Sequence, residues 1–226
     1  MKPVIVFDVN ETLLDLAALD DTFGEIFGHS DAGETRKKWF KQLIELFLTA
    51  TVVGEYRRFD RLTDDALQMT AAQRWREVTD DDREKFRKAL GELPAHPDVS
   101  AALQRLKAAG FTLAALTNSP RESAEKQLER AGLREYFARV LSADDIERYK
   151  PAREAYEHAA QELDVKLDRI VLVAAHSWDV AGALTAGCRA AFVARPGQAL
   201  SPGIPEPQFR GRDVRDVAEQ IVMREQ

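Results

Sequence analysis

A chain of 226 residues, 45% hydrophobic and 31% charged, is long enough to bury a real core, as one large α/β domain or as a core with one inserted subdomain. Its formal net charge of -6 gives no basic surface for nucleic acid, so an anionic small molecule has to meet local positive charge inside a pocket. No apolar run is long enough to span a bilayer, the N-terminal apolar run is too short for a signal peptide, and the one cysteine, Cys188, permits no internal disulfide. A cytoplasmic enzyme is the expectation, with no membrane partner and with Cys188 as a buried, inert thiol.

In chain order, Val4–Phe7 is a short apolar run that stops at Asp8, the pattern of a buried parallel strand with a polar residue at its carboxyl end. Similar runs follow at 111–116, 170–174 and 190–194, with a shorter one at 139–141. Helical periodicity separates them at 99–109, 123–131, 153–163 and 180–186, and Gly110 and Gly132 close the first two. Strand alternating with helix predicts a Rossmann-like α/β core, a parallel sheet with helices on both faces. The stretch between the first two runs differs. Trp39, Leu43, Leu46 and Phe47 share one helical face; Thr63-Asp64-Asp65 reads as a second helix start, and residues 79–82 as a third. The division expected is a core of 1–14 and 95–226 with a helical cap of 15–94, and 202–207 as a Pro/Gly-rich surface loop.

Ligands of open parallel sheets lie beyond the carboxyl ends of the strands. Four polar clusters fall there: Asp8-Val9-Asn10-Glu11-Thr12, Thr117-Asn118-Ser119, Tyr149-Lys150-Pro151 and His176-Ser177-Trp178-Asp179. Taken singly, each has an ordinary reading as a turn, a cap or an exposed loop. Taken together they supply what a carboxylate nucleophile needs. Lys150 is a cation to hold Asp8 ionised, and Thr12, Thr117 and Asn118 are hydroxyl and amide donors to fix its rotamer and receive developing charge.

These motifs are similar to those of the haloacid dehalogenase superfamily. Phe7-Asp8-Val9-Asn10-Glu11-Thr12-Leu13 resembles its first motif, Leu116-Thr117-Asn118-Ser119 the second, Lys150-Pro151 the third and Trp178-Asp179 the fourth, with the helical insertion after the first motif matching its cap. Most of that superfamily are magnesium-dependent phosphatases, in which a second Asp, two residues after the nucleophile, protonates the leaving alcohol. Here that position is Asn10, which cannot act as a general acid. The fourth motif carries the single acid Asp179 followed by Val180 and Ala181, a poor set for magnesium. The spacing from Lys150 to Tyr156, the segment from Ser177 to Ala183, and the cap segments 56–59 and 63–67 resemble the type II (S)-2-haloacid dehalogenases.

That resemblance implies hydrolytic dehalogenation of a short (S)-2-haloacid to an (R)-2-hydroxyacid, without metal or other cofactor. Asp8 displaces the halide from behind, and water then attacks the Asp8 carbonyl carbon, with Asp179 and Lys150 positioning or activating it. Backbone N–H groups near Val9, Asn10 and Asn118 would receive the carboxylate or the oxyanion. It further implies a cap arginine meeting the halide. Arg36 is the candidate, with Lys37 and Lys41 competing, while Phe59 and Trp178 would wall an apolar pocket. A magnesium-dependent phosphatase, and a hydrolase opening another activated carbon such as azetidine-2-carboxylate, stay open as alternatives. The chain departs from the family pattern where a serine and an asparagine are replaced by Ala174 and His176, and where the glycine before Thr12 is Glu11. His176 is open to contact with the leaving group, to orienting Asp179, or to a purely structural place. The apolar cap helices suggest a homodimer.

Overall fold

Runs such as Val4–Phe7 carry an apolar side chain at every position, so both faces of the strands they form must be covered. In the computed structural model, which describes residues 2–225, they become the strands of one parallel sheet. The strands are β1 (Val4–Phe7), β2 (Leu113–Thr117), β3 (Arg139–Ser142), β4 (Ile170–Ala174), β5 (Arg189–Val193) and β6 (Phe209–Gly211), in the order β3-β2-β1-β4-β5-β6. Alternate residues of β1 enter different cores. Ile5 and Phe7 join the larger apolar cluster, and Val4 and Val6 the smaller. β1 pairs with β2 on one side and β4 on the other, so the chain order reverses beside it, and the end of β1 is where such a sheet opens a crevice.

The segment between β1 and β2 contains α1 (Asp20–Phe27), α2 (Ala32–Val53), α3 (Phe59–Ala72) and α4 (Asp80–Gly91), followed by α5 (Val99–Ala108) against the sheet. Rings of α1, α2 and α4 form the heart of this layer: Trp39 meets Phe86 edge-on at 5.1 Å between centroids, and Phe23 meets Phe86 at 5.9 Å. The chain leaves and re-enters the core side by side. Asp15 N–H donates to the Pro94 carbonyl at 2.8 Å, and His96 N–H to the Leu13 carbonyl at 2.9 Å. At the far side the Tyr149 hydroxyl donates to the Arg57 carbonyl and the Tyr56 hydroxyl to Asp144, fastening cap to core.

The remaining helices are α6 (Arg121–Arg130), α7 (Arg153–Glu162), α8 (Ser177–Ala186) and α9 (Val214–Glu225). Several sequence boundaries shift. The second strand is Leu113–Thr117 rather than 111–116, and the last of the long strands is Arg189–Val193 rather than 190–194. Thr63 does not start a helix. α3 begins four residues earlier, at the buried Phe59, and the Thr63 hydroxyl donates back to the Phe59 carbonyl inside the helix at 2.8 Å. Its acidic neighbours serve ion pairs, Asp64 with Arg87 and Asp65 with Arg57. Thr79 does cap α4, in a reciprocal pair with Asp82. Residues 202–207 are a loop as expected, whereas α1, β6 and α9 went unread. Cys188 is 5% exposed, and burial pushes its thiol up to about 12, which leaves it unreactive.

Because Phe86 is fully buried between Phe23 and Trp39, Phe86→Ala should cost about 3–5 kcal/mol of stability. Urea unfolding reads this directly, and a loss under about 1 kcal/mol would contradict a cap built on that aromatic cluster.

Candidate active site

Asp8 directly follows β1 and its N–H still donates to the Val173 carbonyl, so the sheet fixes its backbone. The chain then folds tightly, with the Leu13 and Leu14 N–H groups both donating to the Val9 carbonyl and Glu11 in the left-handed region at φ 63. This turn returns Thr12 to the nucleophile. The Thr12 hydroxyl donates to Asp8 Oδ2 at 2.7 Å and accepts from Ala175 N–H at 2.9 Å. Lys150 Nζ donates to Asp8 Oδ1 at 2.8 Å, and His176 Nδ1 lies 3.2 Å from Oδ2. Burial works against the Asp8 charge, but the Lys150 ammonium and the His176 contact outweigh it and hold the carboxyl well below the usual carboxylate range.

Lys150 is fully buried and its ammonium is spent on three acceptors: Asp8, Asp179 Oδ2 at 2.6 Å and the Leu116 carbonyl at 2.9 Å. Burial disfavours its charge, yet the two carboxylates raise its proton affinity above the ordinary value. The Asn118 side chain is likewise occupied, accepting from Lys150 N–H at 2.8 Å and donating to the Lys150 carbonyl at 3.3 Å, so it positions the lysine. Asp179 sits in the first turn of α8, which starts at Ser177 rather than at 180, and its Oδ1 accepts from the Tyr156 hydroxyl at 2.7 Å. Burial raises the Asp179 carboxyl above its ordinary value; Lys150 pulls it back and Asp8 adds to the rise. The paired carboxyls are thus driven apart, Asp8 ionised and Asp179 with the greater appetite for a proton. Gly182 makes this geometry possible, since a Cβ there would lie 2.5 Å from both Pro151 and the Tyr156 hydroxyl.

What remains open defines where a substrate can bind. The N–H groups of Val9, Asn10 and Asn118 make no hydrogen bond to any described residue. The Thr117 hydroxyl oxygen accepts from Ser119 N–H at 3.1 Å and keeps its own hydrogen. These donors gather at the ends of β1 and β2, where a carboxylate or oxyanion can be held. A cavity of about 310 Å³ opens between cap and core, with Asn10, Phe40, Phe59 and Ser119 among its walls. Phe59 thus lines this space. Trp178 is stacked on His176 at 5.2 Å and 17°, and set edge-on to Phe47.

The cap cations sort clearly. Lys37 is exposed and paired with Glu34, and Lys41 is exposed on the face of α2 that also carries Ile44, Leu48 and Val52. Arg36 is buried one helical turn before Phe40, on the same face, with Nε donating to Asp20 Oδ1 at 2.6 Å and its charge acting on Glu11. The His176 ring contacts Asp8; its link to Asp179 is through the backbone, the Asp179 N–H donating to the His176 carbonyl at 3.1 Å. The sequence reading missed Phe40, packed on His176 at 5.5 Å, and Arg195, which donates to the Thr12 carbonyl and to Asp98 at 2.6 Å. Neither carried a motif. Arg195 is 183 residues from the carbonyl it clamps.

An ionised carboxylate at the end of the central strand, bridged by a buried lysine to a second carboxylate and roofed by helices, defines a capped α/β hydrolase. Comparison with known proteins gives the same class. The family described as haloacid dehalogenase-like hydrolase matches residues 2–187. Among curated relatives, (S)-2-haloacid dehalogenase 1 of Pseudomonas sp. (strain CBS-3) is 33% identical over 186 residues, 81% of each chain. (S)-2-haloacid dehalogenase H-109 of Pseudomonas putida is 28% identical over 222 residues, 97% of each chain. A crystal structure of a dehalogenase superposes with a TM-score of 0.90 at 26% identity, covering 100% of this chain and 98% of that one. The L-2-haloacid dehalogenase of Xanthobacter autotrophicus with chloropropionic acid covalently bound shares the fold, with a TM-score of 0.91 at 22% identity and 98% of each chain covered. The chain belongs to the haloacid dehalogenase-like hydrolase family.

Removing the shared cation strands two buried carboxylates, so Lys150→Met should lose about 3–5 kcal/mol at neutral pH. In that variant both folded carboxyls titrate above their unfolded values. The folded state then binds more protons, and the deficit shrinks as pH falls from about 7 to about 5. Urea unfolding at the two pH values checks this, and a deficit independent of pH would contradict it.

Proposed function

We propose that the protein dehalogenates short (S)-2-haloacids hydrolytically, giving (R)-2-hydroxyacids through an ester on Asp8 and without a metal. The observation that carries the reading is the Lys150 ammonium, which holds Asp8 ionised on one side and Asp179 on the other. The substrate carboxylate lies against the free N–H groups of Val9, Asn10 and Asn118 and the Thr117 hydroxyl. An Asp8 oxygen attacks the α-carbon opposite the halogen, the carbon–halogen electron pair leaves with the halide, and the centre inverts. Asn10 has no proton to give, which suits a leaving group that departs as an anion.

In the second step water attacks the Asp8 carbonyl carbon. Asp179, kept in place by the Tyr156 hydroxyl and Lys150, takes up the water's proton, and Lys150 holds the developing oxyanion. Thr12 fixes the Asp8 rotamer throughout. The halide leaves toward the cap, where Arg36, His176 and the Phe40 ring stand, while Phe59 and Trp178 form apolar walls. The cytoplasm is the compartment in this reading. No helix of the described residues is long and apolar enough to cross a membrane. The exposed apolar end of α2, Val52 and Val53, supports a homodimer.

Halide release from racemic 2-chloropropionate in EDTA tests the activity, with only the S enantiomer consumed and (R)-lactate formed. Turnover that requires added magnesium, or that consumes both enantiomers equally, contradicts it. Asp8→Asn should abolish turnover while leaving the melting temperature little changed, because Lys150 keeps Asp179 as its partner. Full activity in that variant would remove Asp8 as the nucleophile.

A further inference from the structure

Three consecutive carbonyls follow Asn10 on the nucleophile loop, and each is taken by a group from elsewhere in the chain. The Glu11 carbonyl accepts from His96 Nε2 at 3.1 Å and the Leu13 carbonyl from His96 N–H at 2.9 Å. Between them the Thr12 carbonyl accepts twice from Arg195, from Nη2 at 2.8 Å and from Nε at 3.2 Å. Arg195 stands two residues past β5, and its Nη1 donates to Asp98 Oδ1 at 2.6 Å. Asp98 Oδ2 is held in turn, by the N–H of Val214 at the start of α9, at 2.8 Å. Burial works against the Asp98 charge, but Arg195 outweighs it and keeps the carboxyl below its ordinary value. The two side chains are 5% and 11% exposed. An ion pair so withdrawn from water adds little net stability over apolar side chains of the same shape, so folding alone gives no reason for it. Its one direct contact with the site is the Thr12 peptide, and Thr12 is the residue whose hydroxyl donates to Asp8 Oδ2 and accepts from Ala175 N–H.

We propose that Arg195, held by Asp98, is a positioning residue for the reaction: it fixes the Thr12 peptide so that the Thr12 hydroxyl sets the Asp8 carboxylate in line with the substrate α-carbon. The inference rests on the Asp8 reading above. The guanidinium suits this task because its planar fork sets two N–H groups on one carbonyl and a third on a carboxylate, whereas a lysine offers one nitrogen for both. Without the clamp the Thr12 peptide can turn, Oδ2 loses its hydroxyl donor, and the carboxylate is no longer held at the angle the displacement needs. A misplacement of about 1 Å at a reacting atom can cost about a hundredfold in rate. The N–H groups of Val9 and Asn10 are fixed separately, since the Val9 carbonyl accepts from Leu13 and Leu14 N–H. The clamp therefore acts on kcat more than on KM.

Chloride release from (S)-2-chloropropionate and the melting temperature are measured for the wild type, Arg195→Lys, Asp98→Asn, Thr12→Val and the double variants that combine Thr12→Val with each of the other two. Arg195→Lys keeps a cation beside Asp98 and should stay folded at the assay temperature. Its kcat should fall at least about tenfold while KM stays within about threefold. Asp98→Asn leaves the guanidinium in place but loosens its hold, and should lower kcat in the same direction by less. Thr12→Val lowers kcat by itself, and adding it to Arg195→Lys should cost less than about threefold more, because that variant has already lost what the Thr12 hydroxyl supplies. An ion pair that only supports the fold would instead lower the melting temperature and leave kcat intact. That result, or losses in kcat that multiply in the double variants, overturns the inference and leaves the Asp8 reading standing. A wild type that releases no chloride overturns the dehalogenation reading and this inference with it.

Discussion

A single ammonium, fully withdrawn from water, organises this protein: Lys150 between Asp8 and Asp179. A buried cation is tolerable only when every hydrogen it carries finds an acceptor, and here two carboxylates and the Leu116 carbonyl supply them. The requirement reaches outward. Asn118 must grip the Lys150 backbone, Tyr156 must satisfy the second carboxylate, and Gly182 must leave room for both. The sheet order supplies the convergence. β1, β2 and β4 lie side by side, so residues distant in sequence meet at one rim. Asp8 and Lys150 are 142 residues apart in the chain and 2.8 Å apart in space.

The cap gives this charge arrangement its surroundings. Phe40 and Phe47 reach down from α2 onto His176 and Trp178, and Phe59 meets Tyr149. The aromatic roof thins the water around Asp8, which strengthens each electrostatic contact below it. The same burial would neutralise an isolated carboxylate. The Lys150 ion pair is what turns a dry site into one with an ionised nucleophile.

The parts of this architecture that were readable from sequence are those with strong local signals. Continuous apolar runs marked the long strands, polar clusters at their ends marked Asp8, Thr12, Asn118 and Asp179, and the loop entering α7 marked Lys150, and hydrogen bonds join these at one site. The unread parts depend on long-range partners. Thr63-Asp64-Asp65 has the composition of a helix start, but the buried Phe59 draws α3 back by a turn, a tertiary override of a local preference. β6 has only three residues and a single exposed side chain between two buried positions, too short a pattern to distinguish from loop. Arg195 acquires its place only when the two ends of the core come together on Thr12, and Phe40 only when the α2 helix meets His176, because nothing near them in the chain hints at those partners.

The central claim is that Asp8 itself is the covalent carrier of the reaction. A single turnover with enzyme in excess over (S)-2-chloropropionate, run in water enriched in oxygen-18, tests it most directly. The account predicts that the product hydroxyl carries ordinary oxygen taken from Asp8, while the heavy isotope is recovered in the peptide that contains Asp8. Heavy oxygen in the product hydroxyl after that first turnover, with none in the Asp8 peptide, would mean that water attacks the substrate carbon itself and would contradict the account.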